Sequence, residues 1–331
     1  MKINSSYGKE VSLIRNNTFN NEIIIVDGQG RSGKNLISVL LSTMSRVEKM
    51  RLDSQIDYIP RYYFLRKMSL DAAVAALKTE FDEKYYYNLI SRDVNFRFSD
   101  YSGVMKQGKR FEYFKRLLLS AEETAITRNQ LKSPIFQEMT HDGLHVAKLY
   151  FKALGSRLKM IHVLRDPVMN IFEQNKRNFG SRIGLDPREF QLTYLHGKYP
   201  ISIAAIGREK EYLKANSLER LVMIVDIMFR LNLQGFTHLS KIEQEKVFFL
   251  EFEEFVQMPS LYLSSLESFI GESFGKSTKR ILKREKCPRQ LKMEERGYRI
   301  NEINEHLSDH FKEIFKNLVI DYDSKPWLLR Y

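Results

Sequence analysis

The sequence predicts an α/β fold in which a central parallel sheet lies between two layers of helices, and three observations lead there. A β-branched run, Ile23 to Val26, feeds a glycine-rich turn that opens an apolar helix. Short apolar segments then alternate with longer stretches of helical periodicity, as strands and crossover helices do in parallel sheets. No internal repeat, low-complexity tract or Gly/Ser-rich linker divides the 331 residues, so one domain over 1–331 is the simplest organisation.

The first strand is expected over Glu22 to Val26. Gly28-Gln29-Gly30-Arg31-Ser32-Gly33-Lys34-Asn35 follows it and reads G-x-x-x-x-G-K with Asn in the next place. The glycines let the backbone curl so that its N–H groups converge on an anion, and the helix N-terminus adds partial positive charge. Arg31 and Lys34 supply full charges. The fold is therefore expected to be P-loop-type and three-layered, with phosphate held by Gly30, Arg31, Ser32, Gly33, Lys34 and Asn35. A nucleotide triphosphatase would place Ser or Thr at position 35 to bind magnesium; Asn35 is a poorer ligand, and no metal is expected.

Further strands are expected over Ile135 to Glu138, Lys159 to Leu164 and Lys246 to Glu251, each short and apolar as central parallel strands are. Helices are expected over Lys34 to Arg46, Ala72 to Leu77, Lys109 to Arg128, Gly143 to Leu154, Val168 to Arg177, Glu209 to Leu233, Met258 to Ile270 and Ile303 to Lys316. The two longest intervals between strands must hold helical insertions, at about 58–129 and 178–241.

An apolar content of 43% supports a large core, and no stretch approaches a membrane span. Met1 to Asn21 is polar and lacks the apolar region of a secretory signal, so a cytoplasmic location is expected. Cys287, the only cysteine, excludes an internal disulfide and a cysteine-based zinc site and suits a reducing compartment. The net charge of +12 implies attraction to polyanions: nucleic acid, an anionic sugar or a doubly phosphorylated cofactor. Part of it is local, in Lys276, Lys279, Arg280, Lys283, Arg284, Lys286, Arg289, Lys292 and Arg296, diluted by Glu285, Glu294 and Glu295. A solvated helix face is the plainer account of that run.

The strand ending at Leu164 delivers Arg165 and Asp166 before Pro167, which can start a helix. Ligands bind at that edge of such sheets, so Arg165 is a candidate second anion contact. The segment Pro134 to Asp142 carries the strand expected over Ile135 to Glu138, and it ends in the titratable residues Glu138, His141 and Asp142. An imidazole there would titrate near neutral pH.

Taken in order, these segments resemble the sulfotransferase family, which uses 3'-phosphoadenosine 5'-phosphosulfate as sulfuryl donor. Many members open with a G-x-G-R-S-G-T-T loop, which Gly28 to Asn35 resembles with Thr-Thr replaced by Lys34-Asn35. Arg165-Asp166-Pro167 matches the family's Arg-Asp-Pro. Val247 to Phe255 followed by Pro259 is similar to its strand and Tyr-Glu-Asp-Leu turn, with Phe at the Tyr position, and Phe269-Ile270-Gly271 to its Phe-Leu-Gly helix end. The resemblance spans Ile23 to about Arg289; the insertion at 58–129 matches no part of it. One departure bears on the donor: eight residues after the motif arginine, where members place a Ser on the 3'-phosphate, stands Glu173. Asn170 and Ser181 are the neighbours that can take over.

The resemblance implies in-line transfer of a sulfuryl group to an acceptor hydroxyl, or less often an amine, with no metal required. Arg31 would stabilise the leaving phosphate, assisted by Lys34. Met139-Thr140-His141 keeps the Thr-His of a family Lys-Thr-His element, making His141 the candidate base. Glu138 and Asp142 are the reserves, with Glu80, Asp93 and Asp100 in the insertion behind them. Arg165, and Arg289 from the Arg284 to Arg289 loop, would hold the 3'-phosphate. The acceptor is expected against Arg92, Asn95, Phe96, Arg97, Phe98, Asp100 and Tyr101. Interleaved rings and cations there suit a saccharide or other hydroxyl compound, acidic ones included, more than single-stranded nucleic acid. Phe111, Tyr113 and Phe114 are better explained as core packing. Two other classes stay open: a P-loop small-molecule kinase, against which Asn35 counts, and a non-catalytic polyanion-binding protein.

Overall fold

The structure is a computed structural model that describes residues 11–119, 126–127, 131–291 and 293–328. Four parallel strands form the central sheet in the order β2-β1-β3-β6: β1 (Ile23–Asp27), β2 (Phe136–Met139), β3 (Leu158–Leu164) and β6 (Val247–Glu251). Each begins and ends within a residue of its expected bounds; β1, β3 and β6 are mainly apolar, as strands covered on both faces are, whereas β2 (Phe-Gln-Glu-Met) buries two polar side chains. The period-two alternation sends β1 to both layers: Ile23 and Ile25 enter one core, Ile24 and Val26 the other. On the first face pack α3 (Leu70–Leu89) and α5 (Ala147–Leu154); on the second packs α1 (Lys34–Leu41). A third cluster joins α6 (Pro167–Asn175), α7 (Ser217–Thr237) and the helix Asp309–Asp323 around Phe311, Phe315 and Trp327. The α/β layering is thus as expected.

Several elements differ from their expected bounds. The α1 helix stops at Leu41 rather than Arg46, where the hydroxyls of Ser42 and Thr43 donate back to the Val39 and Leu40 carbonyls at 2.6 and 2.8 Å. The chain then turns and runs beside β2, with parallel bridges from Val47 to Ile135 and from Arg51 to Glu138. Helix α2 (Ser54–Phe64), with Pro60 inside it, was not among the expected helices, although its second half falls in the expected helical insertion at about 58–129. Pro60 cannot donate to the Ile56 carbonyl one turn back, and the Tyr150 hydroxyl donates there instead at 2.9 Å.

The expected helix Ala72 to Leu77 lies in the N-terminal half of the longer α3, capped by Ser69. Of Lys109 to Arg128, the structure forms α4 (Arg110–Leu117); residues 120–125 and 128 lie outside the described residues. Glu209 to Leu233 is split before α7, because Asn216 and Glu219 form a reciprocal capping box at 2.9 and 3.0 Å. Ile303 to Lys316 spans a break as well: Met293–Asn304 ends, and Ser308, whose N–H donates to Glu219 at 3.0 Å, precedes Asp309–Asp323. The interval 178–241 also holds an antiparallel hairpin, β4 (Thr193–His196) with β5 (Tyr199–Ser202). Gly197, at φ 60°, takes the first central position of its two-residue turn. Among the described residues no helix is long and apolar enough to cross a membrane.

Candidate functional site

The glycine-rich loop leaves β1 at the C-terminal edge of the sheet and enters α1. Gly28 (φ 142°) and Gly33 (φ 100°) are required by geometry: a Cβ would come within 2.4 Å of the Val163 carbonyl oxygen at the first and 2.2 Å of the Phe252 ring at the second. At Gly30 a Cβ would meet nothing closer than Phe179 Cε2 at 3.7 Å. Arg31 itself is left-handed, at φ 64°. The neighbouring helices lace the loop in place. Asn170 and Gln174 donate to the Gly30 carbonyl at 2.8 and 3.3 Å, and Gln29 donates to the Val225 carbonyl at 2.9 Å. Ser32 is 1% exposed, and its Oγ has no hydrogen-bond partner. Asn35 is partly exposed in the first turn of α1.

Lys34 points beneath the loop. Its ammonium donates to the Thr140 carbonyl at 2.5 Å and to the Gly28 carbonyl, fastening the loop to the end of β2. Burial holds its pKa below the usual lysine range, although Asp27, Asp142 and Asp57 oppose that shift.

Three guanidinium groups gather beside the loop. Arg165, from the end of β3, donates through Nη1 to the Arg31 carbonyl at 2.5 Å and lies 5.1 Å from the Phe252 ring centroid; Arg289 lies 5.8 Å from the same centroid. Phe252 thus serves the loop on one side and two arginines on the other. Burial lowers the Arg165 pKa, against the attraction of Glu253 and Glu173. The carboxylates are close: Glu173 Oε2 is 3.4 Å from Arg31 Nη2, and Glu253 Oε1 is 3.5 Å from Arg165 Nε. The Nε atoms of both arginines are buried without a hydrogen-bond partner. Of the two substitutes for the missing serine, Asn170 is committed to Gly30, and Ser181 donates to the Asn178 carbonyl at 3.0 Å.

The strap Thr140 to Leu144, after β2, wraps around Asp27. Asp27, fully buried, accepts from Thr140 Oγ1 at 2.8 Å and from the Gly143 and Leu144 N–H groups at 2.6 and 3.0 Å, and pairs with His162 Nδ1 at 2.7 Å. Burial opposes its ionisation, but the His162 hydrogen bond and charge, Lys34 and Gly143 outweigh it and hold its carboxyl well below the usual range. The Asp142 N–H donates to the Gly28 carbonyl at 3.2 Å, so His141 is one residue from a direct link to the loop. His141 is clamped by Asp57 of α2: its N–H donates to Oδ1 at 3.0 Å, and its Nδ1 is 3.1 Å from Oδ2. Arg61, one turn further along α2, donates to the His141 carbonyl.

The structure thus brings the loop, Arg31, Arg165 and Arg289 together, and His141 lies on the strap whose Thr140 and Asp142 are bonded to the loop. The reserve carboxylates are otherwise engaged. Glu138 is fully buried, accepts from the Asp53 N–H at 2.8 Å, and is pushed up to about 8 by burial. Asp142 accepts from Asn232 at 3.0 Å, and burial, then Asp27, raises its pKa. Asp93 pairs with Arg51 at 2.9 Å, Glu80 lies on α3 in the field of Asp53 and Lys84, and Asp100 accepts from Asn95 at 3.1 Å. The insertion leans on the basic segment: Tyr101 donates to Glu285 at 3.0 Å, and Arg284 to the Lys106 carbonyl at 3.4 Å. Tyr113 is core as expected, but Phe111 is 66% exposed, its ring 4.9 Å from the Arg110 guanidinium. Lys292 lies outside the described residues.

Asp27, Asp57, His162 and the ring of Phe252 are site residues that sequence reasoning missed. A signal existed for Asp27, a charge ending an apolar strand directly before the loop. None existed for Asp57, which meets His141 across 84 residues of chain.

No protein-family model and no curated protein sequence matches the chain. Among solved structures, it is similar to a sulfotransferase domain from the curacin biosynthetic pathway, at 13% identity and TM-score 0.45, covering 78% of this chain and 76% of that one. It is similar also to the sulfotransferase domain of the Synechococcus PCC 7002 olefin synthase, at 13% identity and TM-score 0.39, over 80% and 79% of the two chains. A sulfotransferase from Alicyclobacillus acidocaldarius is similar at 14% identity and TM-score 0.38, over 93% and 96%.

Proposed function

We propose that this chain is a sulfotransferase that moves a sulfuryl group from 3'-phosphoadenosine 5'-phosphosulfate to a hydroxyl of a carbohydrate acceptor. The observation that carries the reading is a single sheet edge uniting an anion-cradling turn, three arginines and a carboxylate-held histidine. The unbonded Arg31 Nε and Ser32 Oγ, with Arg165 Nε held only by a 3.5 Å ion pair to Glu253, fit a ligand rich in acceptor oxygens. When bound, the donor supplies an activated sulfuryl group for in-line transfer, with the adenosine bisphosphate as leaving group.

The chain's own residues supply positioning and electrostatics. The Gly30 to Asn35 turn and Arg31 hold the 5' end, while Arg165 and Arg289 hold the 3'-phosphate. Lys34 adds a fixed positive charge beneath the loop. His141 takes the proton of the acceptor hydroxyl at Nε2, the nitrogen that Asp57 leaves free. Glu173 lies against Arg31 in a contact long enough for an anion to displace.

Transfer from radiolabelled donor to a panel of oligosaccharides tests the reading. Labelled saccharide is expected from the wild type and should be lost in Arg31→Ala while persisting in Lys279→Ala, whose lysine is exposed on the basic helix. Equal, small losses in both variants would remove the loop from the reaction.

A further inference from the structure

We infer that Asp57 is a positioning residue that fixes His141 as the Nδ1–H tautomer and so leaves the Nε2 lone pair free to take a proton. The inference rests on the reading of His141 as the base and extends it to a residue that no motif indicates. Both carboxylate oxygens of Asp57 are used on His141: Oδ1 accepts the backbone N–H at 3.0 Å, and Oδ2 lies 3.1 Å from Nδ1. An ionised carboxylate only accepts hydrogen bonds, and a neutral imidazole carries one N–H, so Nδ1 must hold it.

Asp57 is ionised. Burial opposes its charge, but the hydrogen bonds from His141 and the charge of Arg61 act the other way, and its pKa is lowered. The exposures fit the roles: the Asp57 side chain is 8% exposed and that of His141 40%, so the orienting group is enclosed and the ring reaches solvent. The surroundings hold the pair on both sides. Asp53 caps α2, Tyr150 holds the Ile56 carbonyl at 2.9 Å, and Arg61 holds the His141 carbonyl, so helix and strap form one unit. Lys34, Asp27 and Asp142 lie beneath that unit and complete its charge environment.

Asp57→Asn separates orientation from charge. Its Oδ1 still accepts the His141 N–H, while its amide can donate to Nδ1 and favours the Nε2–H tautomer, which has no lone pair facing the acceptor. The experiment is a 15N-histidine NMR spectrum of the full chain at pH 8, with His141 assigned by its absence from His141→Gln, alongside turnover and adenosine 3',5'-bisphosphate affinity. The wild type is expected to show Nδ1–H, and Asp57→Asn to shift toward Nε2–H, with turnover falling about 100-fold, the range of a lost general base, and bisphosphate affinity within about twofold. A wild-type His141 with its proton on Nε2 overturns the inference whatever the activity, and needs no folded variant. A tautomer switch with undiminished transfer upholds the orientation by Asp57 and instead removes His141 as the base.

Discussion

Glu173→Gln tests whether the cations of the loop are restrained by the protein's own carboxylates. Glu173 stands where a phosphate-binding serine is expected, and its Oε2 is 3.4 Å from Arg31 Nη2, with its Oε1 3.9 Å from Lys176. At an effective dielectric near 20, a unit pair at that separation carries about 5 kcal/mol of gross Coulomb energy. A quarter of the Glu173 side chain and a third of that of Arg31 remain exposed, so water and side-chain freedom reduce the net value to about 1 kcal/mol. An entering phosphate must displace this contact, and Gln removes the charge while keeping the shape. Adenosine 3',5'-bisphosphate should therefore bind Glu173→Gln about fivefold more tightly than wild type, as titration calorimetry at low ionic strength reads it. The advantage should shrink with added salt. Unchanged or weaker binding at low salt would refute the reasoning and make Glu173 a ligand contact in its own right.

Gly33→Ala forces a Cβ to 2.2 Å from the Phe252 ring at φ 100° and should cost about 2–4 kcal/mol in urea denaturation, whereas Gly30→Ala, with its nearest atom at 3.7 Å, should stay within about 0.5 kcal/mol. Lys34→Met removes the ammonium that joins the Gly28 and Thr140 carbonyls and leaves Asp27 in a poorer charge balance; an unfolding loss of about 3 kcal/mol is expected, and a change under 1 kcal/mol would contradict the clamp. Glu138 has a folded pKa of about 8, above its unfolded value, so its contribution is fully present below about pH 4.5 and is lost as pH rises toward 8. Glu138→Gln should accordingly flatten the decline of thermal stability over that interval, and an unaltered pH profile would count against the burial argument.

The sheet was legible because three of its strands are short and mainly apolar, and the loop because glycine, lysine and a following apolar helix leave few alternatives. Elements that depend on distant partners were not. Pro60 lies inside α2, and Tyr150, which donates to the Ile56 carbonyl that Pro60 cannot reach, stands 94 residues further along the chain than Ile56. The breaks before α7 and at Ser308 share one residue, Glu219, which caps the former and accepts the Ser308 N–H of the latter; apolar periodicity alone runs through both. Within the site, Arg31, Arg165 and Arg289 were readable as separate candidate anion contacts, and the convergence of Arg165 and Arg289 on Phe252 needed the fold. His141 was readable as a titratable group at a strand end, whereas the clamp by Asp57 was not, because nothing in local sequence couples the second helix to the end of the second strand.

Calorimetric titration of the wild-type chain with adenosine 3',5'-bisphosphate, without metal, and with ATP plus magnesium decides which nucleotide the loop holds. Micromolar binding of the bisphosphate that needs no magnesium and is lost in Arg31→Ala is expected. Tight binding of magnesium ATP alone would contradict it in favour of phosphoryl transfer, and binding of neither would mean that the loop holds no nucleotide.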